Sequence, residues 1–100
     1  MPYRRAFLIL AVLGLSLPGQ VLERIDKLAP HYKQISRQLW ENPETSFHEF
    51  KSAALFKGEL RQAGFRITEN VGGIPTAFVA EWGKGEPVIG ILGEYDALPG

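Results

Sequence analysis

The chain contains no cysteine. That absence removes disulfide staples, thiolate nucleophiles and thiolate metal ligands from its 100 residues at once. Histidine is almost as scarce: only His31 and His48 are present, too few to build a histidine-based metal centre. Net charge is missing too, because 11 Lys and Arg balance 11 Asp and Glu. A nucleic-acid surface needs a basic excess, so that class of partner is excluded. The chain also lacks an apolar run long enough to span a bilayer. Its longest, Ala6 to Leu17, is 12 residues. As a helix it would reach about 18 Å, against a hydrocarbon layer of about 30 Å.

What remains is an ordinary globular composition, 45% hydrophobic and 22% charged, too apolar for a disordered chain. The first 19 residues follow the logic of an export signal: Arg4 and Arg5, then the apolar core, then the break at Pro18-Gly19. Residues 1–19 are therefore expected to be a signal peptide, with cleavage after Gly19 or after Ser16. Tyr3-Arg4-Arg5-Ala6-Phe7-Leu8 also resembles the twin-arginine export motif. General secretion and twin-arginine export both stay open, as does an uncleaved anchor. Either export route implies a periplasmic or secreted protein. The leader would take Arg4 and Arg5 with it, leaving 9 basic against 11 acidic residues, a charge of −2. No stable membrane insertion is expected once it is gone.

Beyond the leader, apolar residues recur at Leu22, Ile25, Leu28 or Ala29, Tyr32, Ile35 and Leu39. Spacings of three and four predict a helix over 21–40. Pro30 lies inside it and predicts a kink or break. His31 reads as solvent-facing or capping. Pro43 moves Asn42 out of the helical region and ends the helix. Ser46-Phe47-His48-Glu49 has the spacing of a capping box, hydroxyl to one amide and carboxylate back to the other. A second helix follows, with Phe47, Phe50, Ala53, Phe56, Leu60 and Ala63 as its apolar stripe. Gly64 is placed to close it in a left-handed cap, with Phe65 folding back. His48 reads as surface.

From Phe65 the period becomes two, predicting strands over 65–68 and 76–82 with a turn at Val71 to Pro75. Val88 to Gly93 is apolar throughout, which predicts a third strand buried on both faces. The fold class expected is α/β, two helices and then three strands. It would be the N-terminal portion, residues 20–100, of a helix-covered mixed-sheet domain that is incomplete at its C-terminus. Gly90-Ile91-Leu92-Gly93 lacks the G-x-G-x-x-G spacing of a dinucleotide site.

Glu94-Tyr95-Asp96 stands just past the carboxyl end of that apolar strand, where open α/β sheets bind ligands. Residues two apart share a side, so Glu94 and Asp96 form a candidate carboxylate pair. Such a pair suits a divalent cation, or the orienting of a ligand histidine. A solvated loop start accounts for the same three residues equally well.

Trp40-Glu41-Asn42-Pro43-Glu44 with Phe47 and Glu49, the Ala63-Gly64-Phe65 helix end, Val71 to Ala80, and Ile89 to Gly100 together resemble the aminoacylase and carboxypeptidase type of metallopeptidase. The segment Gly93-Glu94-Tyr95-Asp96-Ala97-Leu98-Pro99-Gly100 is similar to the aminobenzoyl-glutamate hydrolase branch. Hippurate and auxin-conjugate hydrolases carry a related D-A-L-P. The resemblance covers about residues 21–100. It implies a metal-dependent amidohydrolase that cleaves the amide of an N-acyl or N-aroyl amino acid, a small-molecule substrate. It also implies two divalent metals, zinc or manganese, that activate a water, a glutamate base, and a smaller inserted domain that often dimerises. Where the family has H-x-D, this chain has Glu94-Tyr95-Asp96. Asp96 thereby matches the carboxylate behind the metal ligand and is the expected catalytic residue. Glu94 replaces the histidine and is the candidate metal ligand. The other ligands and the base would lie beyond Gly100, so the 100 residues alone are expected to be inactive. A non-catalytic periplasmic α/β binding module and a non-functional truncated product are the alternatives.

Overall fold

A computed structural model describes residues 18–99. The expected leader therefore lies outside the described residues, apart from its last two positions. The described residues fall into two units, 18–30 and 31–99. In order come helix α1 (Pro18–Glu41), helix α2 (Phe50–Gln62), strand β1 (Arg66–Glu69), a 3-10 turn (Val71–Gly73) and strand β2 (Phe78–Glu81).

Helix α1 runs 24 residues with Pro30 inside it, so of the expected kink or break, the break does not occur. Proline removes one amide donor, and good helix formers on both sides (Lys27, Leu28 and Ala29; Lys33 and Gln34) carry the helix past that single lost bond. Within the first unit its apolar residues Val21, Leu22 and Ile25 are more than half exposed. Within the second, Ile35 is buried and Leu39 half-buried. His31 is exposed, and its Nε2 lies 2.7 Å from the Glu59 carboxylate of α2. No described helix is long and apolar enough to cross a membrane.

Helix α2 buries Ser52 and Ala53. Phe56 and Leu60 are half-buried, while Phe47 and Phe50 at the head of the expected stripe stay exposed. Its end follows the expectation. Gly64 has φ +87, its amide bonds the Arg61 carbonyl at 3.0 Å, and the Phe65 amide reaches the Leu60 carbonyl at 2.9 Å. That pair of crossed bonds satisfies carbonyls the helix itself leaves open. A cluster of charges then ties α2 to β1: Lys57 Nζ bonds Glu69 at 2.7 Å, and Arg61 pairs with the same carboxylate.

Strands β1 and β2 pair antiparallel, with Arg66 opposite Glu81 and Glu69 opposite Phe78. Asn70, Gly72 and Gly73 all take positive φ in the connecting turn, which asparagine and glycine tolerate best. This two-stranded sheet is the whole of the described sheet.

The expected third strand is not formed. Val88, Ile89, Ile91 and Leu92 are 83–95% exposed and belong to no ladder. A strand buried on both faces needs a paired neighbour and two covering layers, and the hairpin among the described residues supplies neither. Among the described residues the architecture is thus α/β in the coarse sense: two helices and a two-stranded antiparallel sheet.

Candidate active site

The candidate site gathers where the connection before α2 meets the loop after the apolar run. Glu44 organises the first of these. One carboxylate oxygen accepts the amide of Lys51 at 3.0 Å. The other accepts both the amide and the hydroxyl of Ser52, each at 2.8 Å. The first amides of a helix have no partner inside it, and a carboxylate there also meets the positive end of the helix dipole. Burial alone would raise the Glu44 pKa, but the Ser52 and Lys51 donors outweigh it and hold the group below its ordinary value.

The expected capping box is absent. Glu49 sits at the helix N-cap with no side-chain bond to the helix. Its buried carboxylate instead accepts the Thr76 hydroxyl at 2.6 Å and the Phe47 amide at 3.0 Å. The Thr76 bond is the main cause of a lowered Glu49 pKa. Phe47 takes a left-handed φ of +67 in this connection. With Glu44 already serving the helix, the Ser46 hydroxyl is left for another partner.

That partner is Asp96. The Ser46 hydroxyl donates to Asp96 Oδ2 at 2.6 Å, across 50 residues of sequence. The residues on either side of Asp96 are anchored as well. The Ala97 amide donates to the Glu44 carbonyl at 2.7 Å, and the Tyr95 hydroxyl donates to the Thr76 carbonyl at 2.6 Å. Tyr95 packs its ring against Phe56 and Phe78, with centroids 5.1 and 6.3 Å away. Burial, together with the nearby Glu49 and Glu44 carboxylates, raises the Tyr95 pKa above its ordinary value.

The alternation expected of Glu94-Tyr95-Asp96 is present: Tyr95 is half-buried while Glu94 and Asp96 are exposed. The two candidate residues differ in their surroundings. Asp96 is held, whereas Glu94 makes no hydrogen bond or ion pair among the described residues. His48 is exposed, its Nδ1 lying 3.2 Å from the Ser46 carbonyl. Among the described residues no three of His, Cys, Asp and Glu are arranged to hold a metal ion. A lone pair of carboxylates falls short of the four or more ligands that zinc or manganese takes. The described residues therefore do not by themselves fit a metal pair.

The exposed face of the site is anionic, with carboxylates fixed by hydroxyl and amide donors rather than by cations. Sequence reasoning placed Glu94 and Asp96 there. It missed Ser46, Thr76 and the helix-serving role of Glu44. The one available signal was an acidic residue shortly before a helix start that already carried Ser and Glu.

Over 69 residues the chain is 55% identical to one of the subunits of the p-aminobenzoyl-glutamate hydrolase of Escherichia coli (strain K12), an alignment covering 69% of this chain and 14% of that protein. It is 34% identical over 94 residues to the Xaa-Arg dipeptidase of Mus musculus, covering 83% and 22%. It is 30% identical over 79 residues to the hippurate hydrolase of Campylobacter jejuni, covering 79% and 21%. The chain belongs to this family of amidohydrolases and peptidases. It spans less than a quarter of the length of these relatives. No family model matches the chain, and no solved structure matches it.

Proposed function

We propose that the chain is the N-terminal part of an exported, metal-dependent amidohydrolase. Its substrates would be N-acyl or N-aroyl amino acids of the aminobenzoyl-glutamate kind. The observation that carries this reading is the 55% identity to the p-aminobenzoyl-glutamate hydrolase chain over 69 residues. Hippurate, named for the relative at 30% identity, is itself an N-aroyl amino acid. The export route, and with it a periplasmic or secreted location, rests on Arg4, Arg5 and the apolar core behind them. Metal dependence rests on the family relation, with further ligands supplied from outside the described residues. Assembly of the full-length enzyme into homo-oligomers belongs to the same reading.

Within that enzyme Asp96 serves the active centre. Its carboxylate is fixed by Ser46 through Oδ2 alone among the described hydrogen bonds, so Oδ1 is left to orient a group contributed by another part of the protein. Glu94 lines the same mouth as the candidate metal ligand. The test is turnover of an N-aroyl-glutamate by the full-length enzyme, with and without a chelator, for wild type, Asp96→Asn and Glu94→Gln. Asp96→Asn is expected to lower turnover by at least roughly tenfold at unchanged thermal midpoint, and Glu94→Gln to cost less. Normal rate and metal content in Asp96→Asn would reduce Asp96 to a turn residue. Failure to hydrolyse any N-acyl amino acid would overturn the function.

A further inference from the structure

We propose that Ser46 is a positioning residue for Asp96: its hydroxyl sets the rotamer of the carboxylate and so the direction in which Oδ1 is offered. The proposal rests on the placement of Asp96 in the active centre. Ser46 lies in a segment whose sequence pattern assigns its hydroxyl to helix capping, and the structure gives that task to Glu44 instead. The hydroxyl is not needed to hold the 94–97 loop either. Ala97 bonds the Glu44 carbonyl through its backbone, and Tyr95 is locked by Thr76 and two aromatic rings.

With backbone and flanks already fixed, the remaining freedom at Asp96 is rotation of its own side chain. The Ser46 bond acts on that freedom and on nothing else described. At 2.6 Å it has the length of a hydroxyl–carboxylate bond strengthened by the acceptor's charge. A carboxylate that must orient a neighbour loses efficiency when it can swing, because productive geometry is held only to fractions of an ångström and tens of degrees. The hydroxyl also occupies Oδ2, leaving Oδ1 as the oxygen offered to the site.

The experiment uses the full-length enzyme with five variants: Ser46→Ala, Ser46→Thr, Ser46→Val, Asp96→Asn and the double Ser46→Ala/Asp96→Asn. Turnover of an N-aroyl-glutamate, thermal midpoint and zinc affinity of the apoprotein (by chelator competition) are measured for each. Ser46→Ala should lower kcat about tenfold with KM within about twofold, and should weaken zinc binding in the same direction as Asp96→Asn. Threonine and valine have nearly the same shape, so the comparison of Ser46→Thr with Ser46→Val isolates the hydroxyl. The first should recover most of the rate and the second should not. If Ser46→Ala folds poorly, this pair carries the test. The double variant should be no worse than Asp96→Asn, since removing the clamp matters only through the group it holds. Normal kcat in Ser46→Ala, equal rates for the threonine and valine variants, or multiplied losses in the double variant would overturn the role of Ser46, while an impaired Asp96→Asn would leave the active-centre reading standing. An unimpaired Asp96→Asn would overturn both.

Discussion

Residues 88–93 and residues 94–97 are neighbours in sequence and neither belongs to a helix or a ladder, yet they are held in opposite ways. The first stretch is almost wholly apolar and lies open, with Ile91 at 95% exposure. The second is polar at alternate positions, and three successive residues are tied by hydrogen bonds to the α2 connection and to Thr76. An apolar run states that a surface is to be buried without naming what buries it. A directional donor or acceptor fixes its partner by distance and angle, so a few polar residues are enough to seat a loop. The candidate site depends on the second kind of anchor.

The sharpest way to break this contrast is to put a charge in the apolar run. In the longer enzyme proposed above, where the continuous apolar pattern implies cover on both faces, Ile91→Asp is expected to lower stability by about 3 kcal/mol or more. In the 100-residue chain, where the side chain is exposed, the same change should stay within about 0.5 kcal/mol. Chemical denaturation of both proteins measures the two values. A neutral result in the longer protein would mean that the run is not a buried strand.

The polar side of the comparison is tested at Glu44, which serves two amides and a hydroxyl. Glu44→Ala should cost about 2 kcal/mol, at the upper end for a helix cap, seen as a loss of helix stability by circular dichroism. The pH dependence follows from the same group and from Glu49. Both carboxyls titrate below their ordinary value when folded. Their stabilisation is therefore complete above about pH 4.3, the unfolded glutamate value, and is lost as the pH falls through the lower folded values. Wild-type stability should be flat through neutral pH and fall in acid, and the acid limb should be shallower in Glu44→Ala. A steeper limb in the variant would contradict the assignment.

A smaller effect sharpens what counts as an anchor. Gly64→Ala should cost about 1 kcal/mol, because alanine resists the left-handed backbone that closes α2. An added Cβ would meet the Trp82 ring at 3.9 Å, an ordinary contact. The cost therefore comes from the backbone and not from crowding. A thermal midpoint unchanged from wild type would show that the crossed bonds at the helix end do not need that conformation.

Much of the local structure could be read from the residues. The Gly64 cap, the helix-to-strand change at Phe65 and the turn at Val71 to Pro75 are each dictated within a few residues, and all three are present. The reading failed where longer distances decide. Pro30 predicts a kink or a break from its own sterics, and the break is absent because one missing bond does not stop a 24-residue helix. Val88–Gly93 predicts burial, but burial depends on neighbours that no local pattern specifies. Ser46 and Glu49 match a capping box, yet Asp96 lies 50 residues away and Thr76 lies 27 away. Spacing within one segment cannot reveal that two distant partners compete for the same hydroxyl and carboxylate. Asp96 itself was legible, but what holds it was not.

The separation of 50 residues between Ser46 and Asp96 also sets an order of assembly. Glu44 needs only the next 7 or 8 residues to cap α2. Closing the longer loop costs about 1.7 kcal/mol more chain entropy than closing one of 7 residues. On a growing polypeptide the helix, complete at Gln62, and its cap can form while Asp96 has yet to be synthesised, a delay of roughly 2–7 s at ordinary elongation rates. The 94–97 loop then arrives at a surface already built to receive it. The carboxylate with the strictest demand for orientation is thus set last, onto the part of this region that folded first.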